Sequence, residues 1–257
     1  MDILRLPVLS DNYTFVLHNP LTHQAAVVDP AVAEPVLDGL TQLGADLVWI
    51  LHTHHHWDHI GGDRTLLTQF PNLTIYGGAL DQGRIPGLQK GLVAGDRVTV
   101  CGRTAEILFV PGHTRAHIAY YFPSEGTEPG NLFCGDTLFA GGCGRLFEGT
   151  PQQMVTSLEQ LRQLPPETRV WCAHEYTLKN LQFAITVDPA NPALQERLKQ
   201  TRGMRDRLEP TIPTTIGLEL ETNPFFRWDD PALIATTKIE DPVRSFARLR
   251  GMKDQFS

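Results

Sequence analysis

The segment Thr53-His54-His55-His56-Trp57-Asp58-His59 gathers four imidazoles and a carboxylate into seven residues, and His52 directly precedes it. Neutral imidazole and carboxylate are borderline ligands suited to zinc, iron and manganese. Side chains at i and i+2 diverge on a helix but converge from an irregular loop, so His54 and His56 can share one cation. Asp58 and His59, just beyond, point to a second. Three more candidates lie downstream: His113 in Val110-Pro-Gly-His-Thr114, Asp136 in Phe133-Cys-Gly-Asp-Thr137, and His174 in Trp171-Cys-Ala-His-Glu175. Seven ligands suffice for two cations if one carboxylate is shared. Cations held this way polarise substrate oxygens and lower the pKa of bound water towards 7.

Scattered ligands need a rigid frame, and the intervening residues supply one. Asn12–His18 and Gln24–Asp29 are β-prone runs around an Asn19-Pro20 turn. A helix is expected over Glu34–Leu43, with Val36, Leu37, Leu40 and Leu43 on one face and Gly44 as its stop. Leu47–Leu51 is continuously apolar, as a buried strand would be, and the histidine cluster begins where it ends. Arg97–Cys101, Glu106–Val110, Ile118–Phe122, Asn131–Gly135 and Arg169–Ala173 also read as short strands. His113, Asp136 and His174 each follow such a strand, and strand ends are where open sheets place their sites. Thr150-Pro-Gln-Gln153 is a capping box that opens an amphipathic helix through Met154, Leu158, Leu161 and Leu164. Beyond residue 174 the chain turns mainly helical: Asn191-Pro192 caps a helix through Leu194, Leu198 and Leu208, and Asp241-Pro242 caps another through Val243, Phe246 and Leu249. The expected organisation is an α/β domain over 1–173 followed by a smaller helical domain over 174–257.

Composition narrows the partners. The 257 residues carry a net charge of −7, which provides no general attraction to nucleic acid or acidic membranes. No apolar run is long enough to span a bilayer. Asp2 sits where a signal peptide needs basic residues, and Pro7 and Asp11 interrupt the apolar stretch, so a cytoplasmic location is expected. Cys101, Cys134, Cys143 and Cys172 are widely spaced with no C-x-x-C pair, so they read as buried free thiols.

The run T-H-H-H-W-D-H-x-G-G, then P-G-H-T, G-D-T and a late A-H-E, resembles the metallo-β-lactamase superfamily, and within it the glyoxalase II family of hydroxyacylglutathione hydrolases. The likeness extends through Gly141-Gly-Cys-Gly-Arg145, His174-Glu-Tyr176 and Lys253-Asp-Gln-Phe256, and so over nearly the whole chain. It implies an α/β (α+β) fold, an αββα sandwich with a smaller C-terminal helical domain. It also implies two divalent metal ions, zinc first and iron or manganese as alternatives. One would be held by His54, His56 and His113 and the other by Asp58, His59 and His174, with Asp136 and a hydroxide between them. Asp58 would orient that nucleophile for attack on a thioester, S-D-lactoylglutathione, giving glutathione and D-lactate, the second step of methylglyoxal detoxification. A thiolate leaves without obligatory protonation, its thiol pKa being about 8.5. Arg145, Phe147, His174, Tyr176, Arg250 and Lys253 fall at substrate-contact positions. Two of them depart from the family, which often has lysine at 145 and tyrosine at 147: arginine keeps the charge with different geometry, and phenylalanine loses a hydroxyl donor. A monomer with a small-molecule substrate is expected.

Other readings remain at this stage. A lactonase or a different thioesterase would use the same metal site, and a non-catalytic metal-binding module would bind cations without turnover. His52, His55, His117, His18 and His23 lie outside the matched ligand positions and are taken as structural or solvated. Gly61-Gly62 is explained by tight loop geometry. Cys143 is taken as a packing residue, since no activating base is evident.

Overall fold

The computed structural model describes residues 1–256. Two six-stranded sheets lie face to face. The first runs β1 (Asp2–Val8), β2 (Asn12–Asn19), β3 (Gln24–Val28), β4 (Asp46–Leu51), β5 (Thr74–Gly78) and β6 (Lys90–Leu92) in spatial order. The second contains β7 (Arg97–Val100), β8 (Arg103–Phe109), β9 (Ile118–Phe122), β10 (Asn131–Gly135), β13 (Arg169–Cys172) and β14 (Thr214–Thr215), in the order β14-β13-β10-β9-β8-β7. A hairpin of β11 (Leu138–Phe139) and β12 (Gly142–Cys143) stands apart.

Period-two alternation sorts the first sheet's residues onto its two faces. Phe15, Leu17, Ala26 and Val28 enter the central core with Ile107, Tyr120, Phe133 and Trp171 of the second sheet. Val16, Ala25 and Val27, one step out of phase, join a separate cluster with Ala33, Val36, Leu40 and Leu66. Those last four come from α1 (Ala33–Leu43) and α3 (Asp63–Gln69), which cover the outer face. Every residue of β9 and β10 is buried, so the second sheet is covered on both faces too. α4 (Pro151–Arg162) contributes Met154, Leu158 and Leu161 to that core, and its Ser157 hydroxyl donates to the Pro111 carbonyl. The result is an αββα sandwich.

The sequence signals act as their chemistry requires. Gly44 ends α1 in the left-handed region at φ 60°. Thr150 and Gln153 make the reciprocal capping box. Asn191 caps α6 (Pro192–Asp206) and Asp241 caps α9 (Pro242–Asp254). Two boundaries differ from expectation. α6 ends at Asp206, and Leu208 stands outside it, 82% exposed and at φ 60°, a left-handed conformation that a right-handed helix does not continue through. Leu164, one residue before Pro165, lies beyond the end of α4 but still packs against the core. β1 escaped the sequence reading because Pro7 interrupts it; as the edge strand of its sheet it tolerates the missing donor. The chain after His174 is mainly helical, with α5 (Thr177–Val187), α6, α7 (Ile216–Thr222), α8 (Pro231–Thr237) and α9, while β14 returns to the second sheet. Among the described residues no helix is long and apolar enough to cross a membrane.

Candidate metal centre

Strand direction brings the ligands together. β3 and β4 are parallel, with Val28 beside Leu51, so Asp29 and the loop from His52 leave the first sheet at one edge. β10 and β13 are parallel, with Phe133 beside Trp171, so Asp136 and His174 leave the second sheet together. β8 and β10 are both antiparallel to β9, which sends the His113 loop the same way. Asp58 and His59 ride on the single turn α2 (Trp57–Ile60). Side chains there have no room to spare: a Cβ on Gly61 would meet the Ala31 carbonyl oxygen at 2.5 Å, and one on Gly62 would meet that of Pro30 at 2.7 Å.

All seven ligand candidates face a common point. His56 Nδ1 lies 3.1 Å from His54 Nε2 and 3.0 Å from His113 Nε2. His174 Nε2 and His59 Nε2 lie 3.6 and 3.7 Å from Asp58 Oδ2. In each of these triads one donor atom per residue falls within 4.8 Å of the others. Asp136 stands between them: Oδ2 is 3.4 Å from His113 Nε2, while Oδ1 is 3.4 Å from His59 Nε2 and 3.3 Å from His174 Nε2.

The surrounding groups fix which nitrogen each ring presents. His59 Nδ1 meets Asp29 Oδ2 at 3.1 Å, His113 Nδ1 the Arg145 carbonyl at 2.9 Å, and His174 Nδ1 Asp11 Oδ1 at 2.9 Å. In each case Nδ1–H donates to the oxygen, which leaves the Nε2 lone pair aimed inward. Asp29 also accepts from the Thr53 backbone N–H and hydroxyl, at 2.8 and 2.6 Å. Asn12 donates to Asp58 Oδ2 at 3.0 Å.

Electrostatics and unpaired atoms fit a cation. Burial, with His59 nearby, pushes His54 well below the usual imidazole range; burial likewise lowers His113. Both are therefore neutral, the form that ligates metals. Burial alone would raise the Asp136 carboxyl, but His174 and His59 outweigh it and hold it well below the carboxylate range. Burial works against charge on His174, yet Asp136 beside it lifts the pKa to about 9. Negative charge here calls for a positive partner. Buried His59 Nε2 and Asp136 Oδ1 have no hydrogen-bond partner in the protein, a costly state that a bound cation would relieve. Imidazole and carboxylate donors in this number suit divalent zinc, iron or manganese.

The other histidines lie outside the two triads. His52 is clamped by Asp63 at 3.0 Å. His117 Nε2 accepts from the Asp136 backbone N–H at 3.2 Å, and its ring stacks on His54. His55 faces Asp81 and Arg84, His18 is buried, and His23 is exposed. Asp29, Asp11, Asn12 and His117 escaped sequence reading as site groups; only Asp29 carried a signal, a carboxylate directly after an apolar strand.

A cleft of about 400 Å³ opens over His113 and Asp136, lined by Phe139, Cys143, Arg145, Phe147, Tyr176, Lys179, Asn180, Arg250, Lys253 and Phe256. Tyr176 stacks on His174 with ring centroids 4.6 Å apart. Burial and the Asp11 carboxylate raise its phenol above the ordinary value, so the hydroxyl stays a donor. Phe147 meets His113 and His56 edge-on. Arg250 donates to the Cys143 carbonyl at 2.9 Å, and Lys253 to the Lys179 carbonyl at 3.2 Å. Burial pushes the Cys143 thiol up to about 11, so it is protonated and a packing group. The helical region is pinned to the hairpin below the cleft: Asn223 donates to the Phe139 and Gly142 carbonyls, and Glu219 accepts from Gly141.

Comparisons with known proteins agree with this architecture. Residues 11–174 match the family described as the metallo-beta-lactamase superfamily, and residues 175–256 match the hydroxyacylglutathione hydrolase C-terminus. The chain resembles the hydroxyacylglutathione hydrolase of Synechococcus sp. (strain JA-2-3B'a(2-13)), 65% identical over 256 residues and covering 100% of both chains. That of Acaryochloris marina (strain MBIC 11017) is also 65% identical, over 257 residues, with 100% of both covered. Among solved structures, ETHE1 from Myxococcus xanthus shares the fold with a TM-score of 0.69 at 24% identity, over 98% of this chain and 90% of that one. TTHA1623, described in a di-iron-bound form, has a TM-score of 0.59 at 26% identity, over 88% of this chain and 100% of that one. Fold and converging ligands define a member of the metallo-β-lactamase superfamily. Within it, the chain belongs to the hydroxyacylglutathione hydrolase family.

Proposed function

We propose that the chain hydrolyses S-(2-hydroxyacyl)glutathione, S-D-lactoylglutathione foremost, to glutathione and the 2-hydroxy acid. The observation that carries this reading is Asp136 set between two imidazole-rich triads at the base of a cationic cleft. His54, His56 and His113 would hold one divalent cation and Asp58, His59 and His174 the other, with zinc the first choice of metal. When bound, such cations lower the pKa of water and polarise the acyl carbonyl.

The chain's own groups supply the rest. Asp58, held by Asn12, accepts a hydrogen bond from the attacking water and orients it. Arg145, Arg250 and Lys253 anchor the glutathione carboxylates. Tyr176, packed on His174, offers its hydroxyl to the glutathione backbone. Phe139, buried beside Tyr176 and His174, excludes bulk water from the reacting carbonyl, and Phe147 forms the exposed rim against His113 and His56. A monomer acting on a small molecule is part of this reading. Residues 1–173 serve as the catalytic domain and 174–257 as the substrate-binding domain. A cytoplasmic location is part of this reading.

Turnover of S-D-lactoylglutathione, measured with metal quantification on the same sample, tests this. Two metals per chain with rapid thioester loss are expected. Stoichiometric metal without hydrolysis of any thioester would make the chain a binding module, and preferred hydrolysis of lactones would make it a lactonase.

A further inference from the structure

This chain is acidic overall, at −7, yet four cationic side chains line one cleft: Arg145, Lys179, Arg250 and Lys253. They divide into two pairs. Arg145 and Arg250 share Asp254, at 3.6 and 2.9 Å. The lysines have no such carboxylate: Lys253 is tied to the backbone carbonyl of Lys179, and the exposed Lys179 side chain has no ion-pair partner among the described residues. Lys179 also sits in the first turn of α5, where the helix dipole disfavours a cation and favours an anion. It lies one helical turn beyond Tyr176, whose ring packs on His174, so its backbone is anchored beside the metal centre. Arg250 Nε, in a side chain 7% exposed, is buried without a partner. The cleft thus concentrates positive charge and donor capacity beyond what the protein itself satisfies.

Glutathione carries two carboxylates remote from its sulfur. We propose that Lys179 is a further substrate-anchoring residue that works with Lys253 on one of these carboxylates, leaving Arg145 and Arg250 for the other. This rests on the glutathione-thioester reading above. Burial and then the charges of Arg250, Lys179 and Arg145 push the Lys253 ammonium down to about 8. A substrate carboxylate between the two lysines replaces that mutual repulsion with attraction.

The test uses the full-length, metal-loaded protein as wild type, Lys179→Ala, Lys179→Arg and Lys179→Glu. Substrates are S-D-lactoylglutathione and two versions of it, each with one carboxylate capped as an ethyl ester. Lys179→Ala is expected to raise KM about fivefold, the size of one partly exposed ion pair, with kcat changed by less than about twofold. Lys179→Arg restores KM and Lys179→Glu raises it further. On one of the capped substrates, wild type and Lys179→Ala have equal KM. The pH above which KM rises shifts upward in Lys179→Ala, because one charge repelling Lys253 has gone. Equal KM for wild type and Lys179→Ala on the uncapped thioester overturns the assignment, as does an equal loss on both capped substrates. A wild type that turns over no glutathione thioester removes the functional reading, and this assignment with it.

Discussion

At the metal centre, His54, His59, His113 and His174 are each at most 4% exposed, and each has its second ring nitrogen engaged by an oxygen. In the adjoining cleft, the side chains of Arg145 and Asp254 are 64% and 44% exposed and lie 3.6 Å apart. One region is fixed by burial and by supports that leave each ligand a single orientation. The other, apart from the buried Arg250, uses long charged side chains in partial contact with water, where each contact is weak and screened by salt. Damage to the first should therefore be large and appear in metal content and kcat. Damage to the second should be graded and appear in KM.

The sharpest break is Asp136→Asn. Removing the charge that faces both triads should strip metal and lower kcat by at least about a thousandfold, since metal activation contributes several kcal/mol to the barrier. Metal analysis beside steady-state kinetics checks it; retained metal and normal turnover would deny Asp136 its central place.

Asp29→Asn probes the support beneath the ligands. Asp29 holds Thr53 and fixes the His59 tautomer. Metal affinity should fall about 10- to 100-fold, as for other groups that orient a ligand, while KM on the residual loaded enzyme stays near wild type. Competition with a chelator measures the affinity. A KM effect without loss of metal would erase the distinction between the two regions.

A pH titration tests the cleft. Lys253 is protonated below its pKa of about 8 and loses its charge as pH rises through that value, while the substrate carboxylates stay ionised throughout. KM should therefore rise severalfold above pH 8, consistent with loss of one partly exposed charge contact. Lys253→Arg, charged at all these pH values, should flatten the rise. A rise that persists in that variant belongs to another group.

Phe147→Tyr should have the smallest effect. The ring is 63% exposed against His113 and His56, and a new hydroxyl at its rim can add one water-exposed hydrogen bond. KM should fall by no more than about threefold. An effect on kcat would place Phe147 nearer the reacting atoms than its edge contacts indicate.

Local signals sufficed wherever the physics was local. Gly44, the Thr150 capping box, Asn191 and Asp241 marked helix ends because backbone conformation and caps are decided within a few residues. The apolar strands and the ligand-bearing turns after them were likewise readable. Where competing local rules met, the reading slipped: Pro7 hid an edge strand, and α6 stopped at Asp206, before the left-handed Leu208.

The sequence by itself determined the candidate ligands, because imidazoles and carboxylates clustered after apolar strands have few other uses. Only the tertiary structure decided how they divide the work. That Asp136 faces both triads, that Asp29, Asp11 and His117 contact the candidate ligands, and that Lys253 reaches the Lys179 carbonyl all depend on elements brought side by side from distant parts of the chain. Such pairings are set by burying two sheets against each other, a property of the whole fold that no short run of residues encodes.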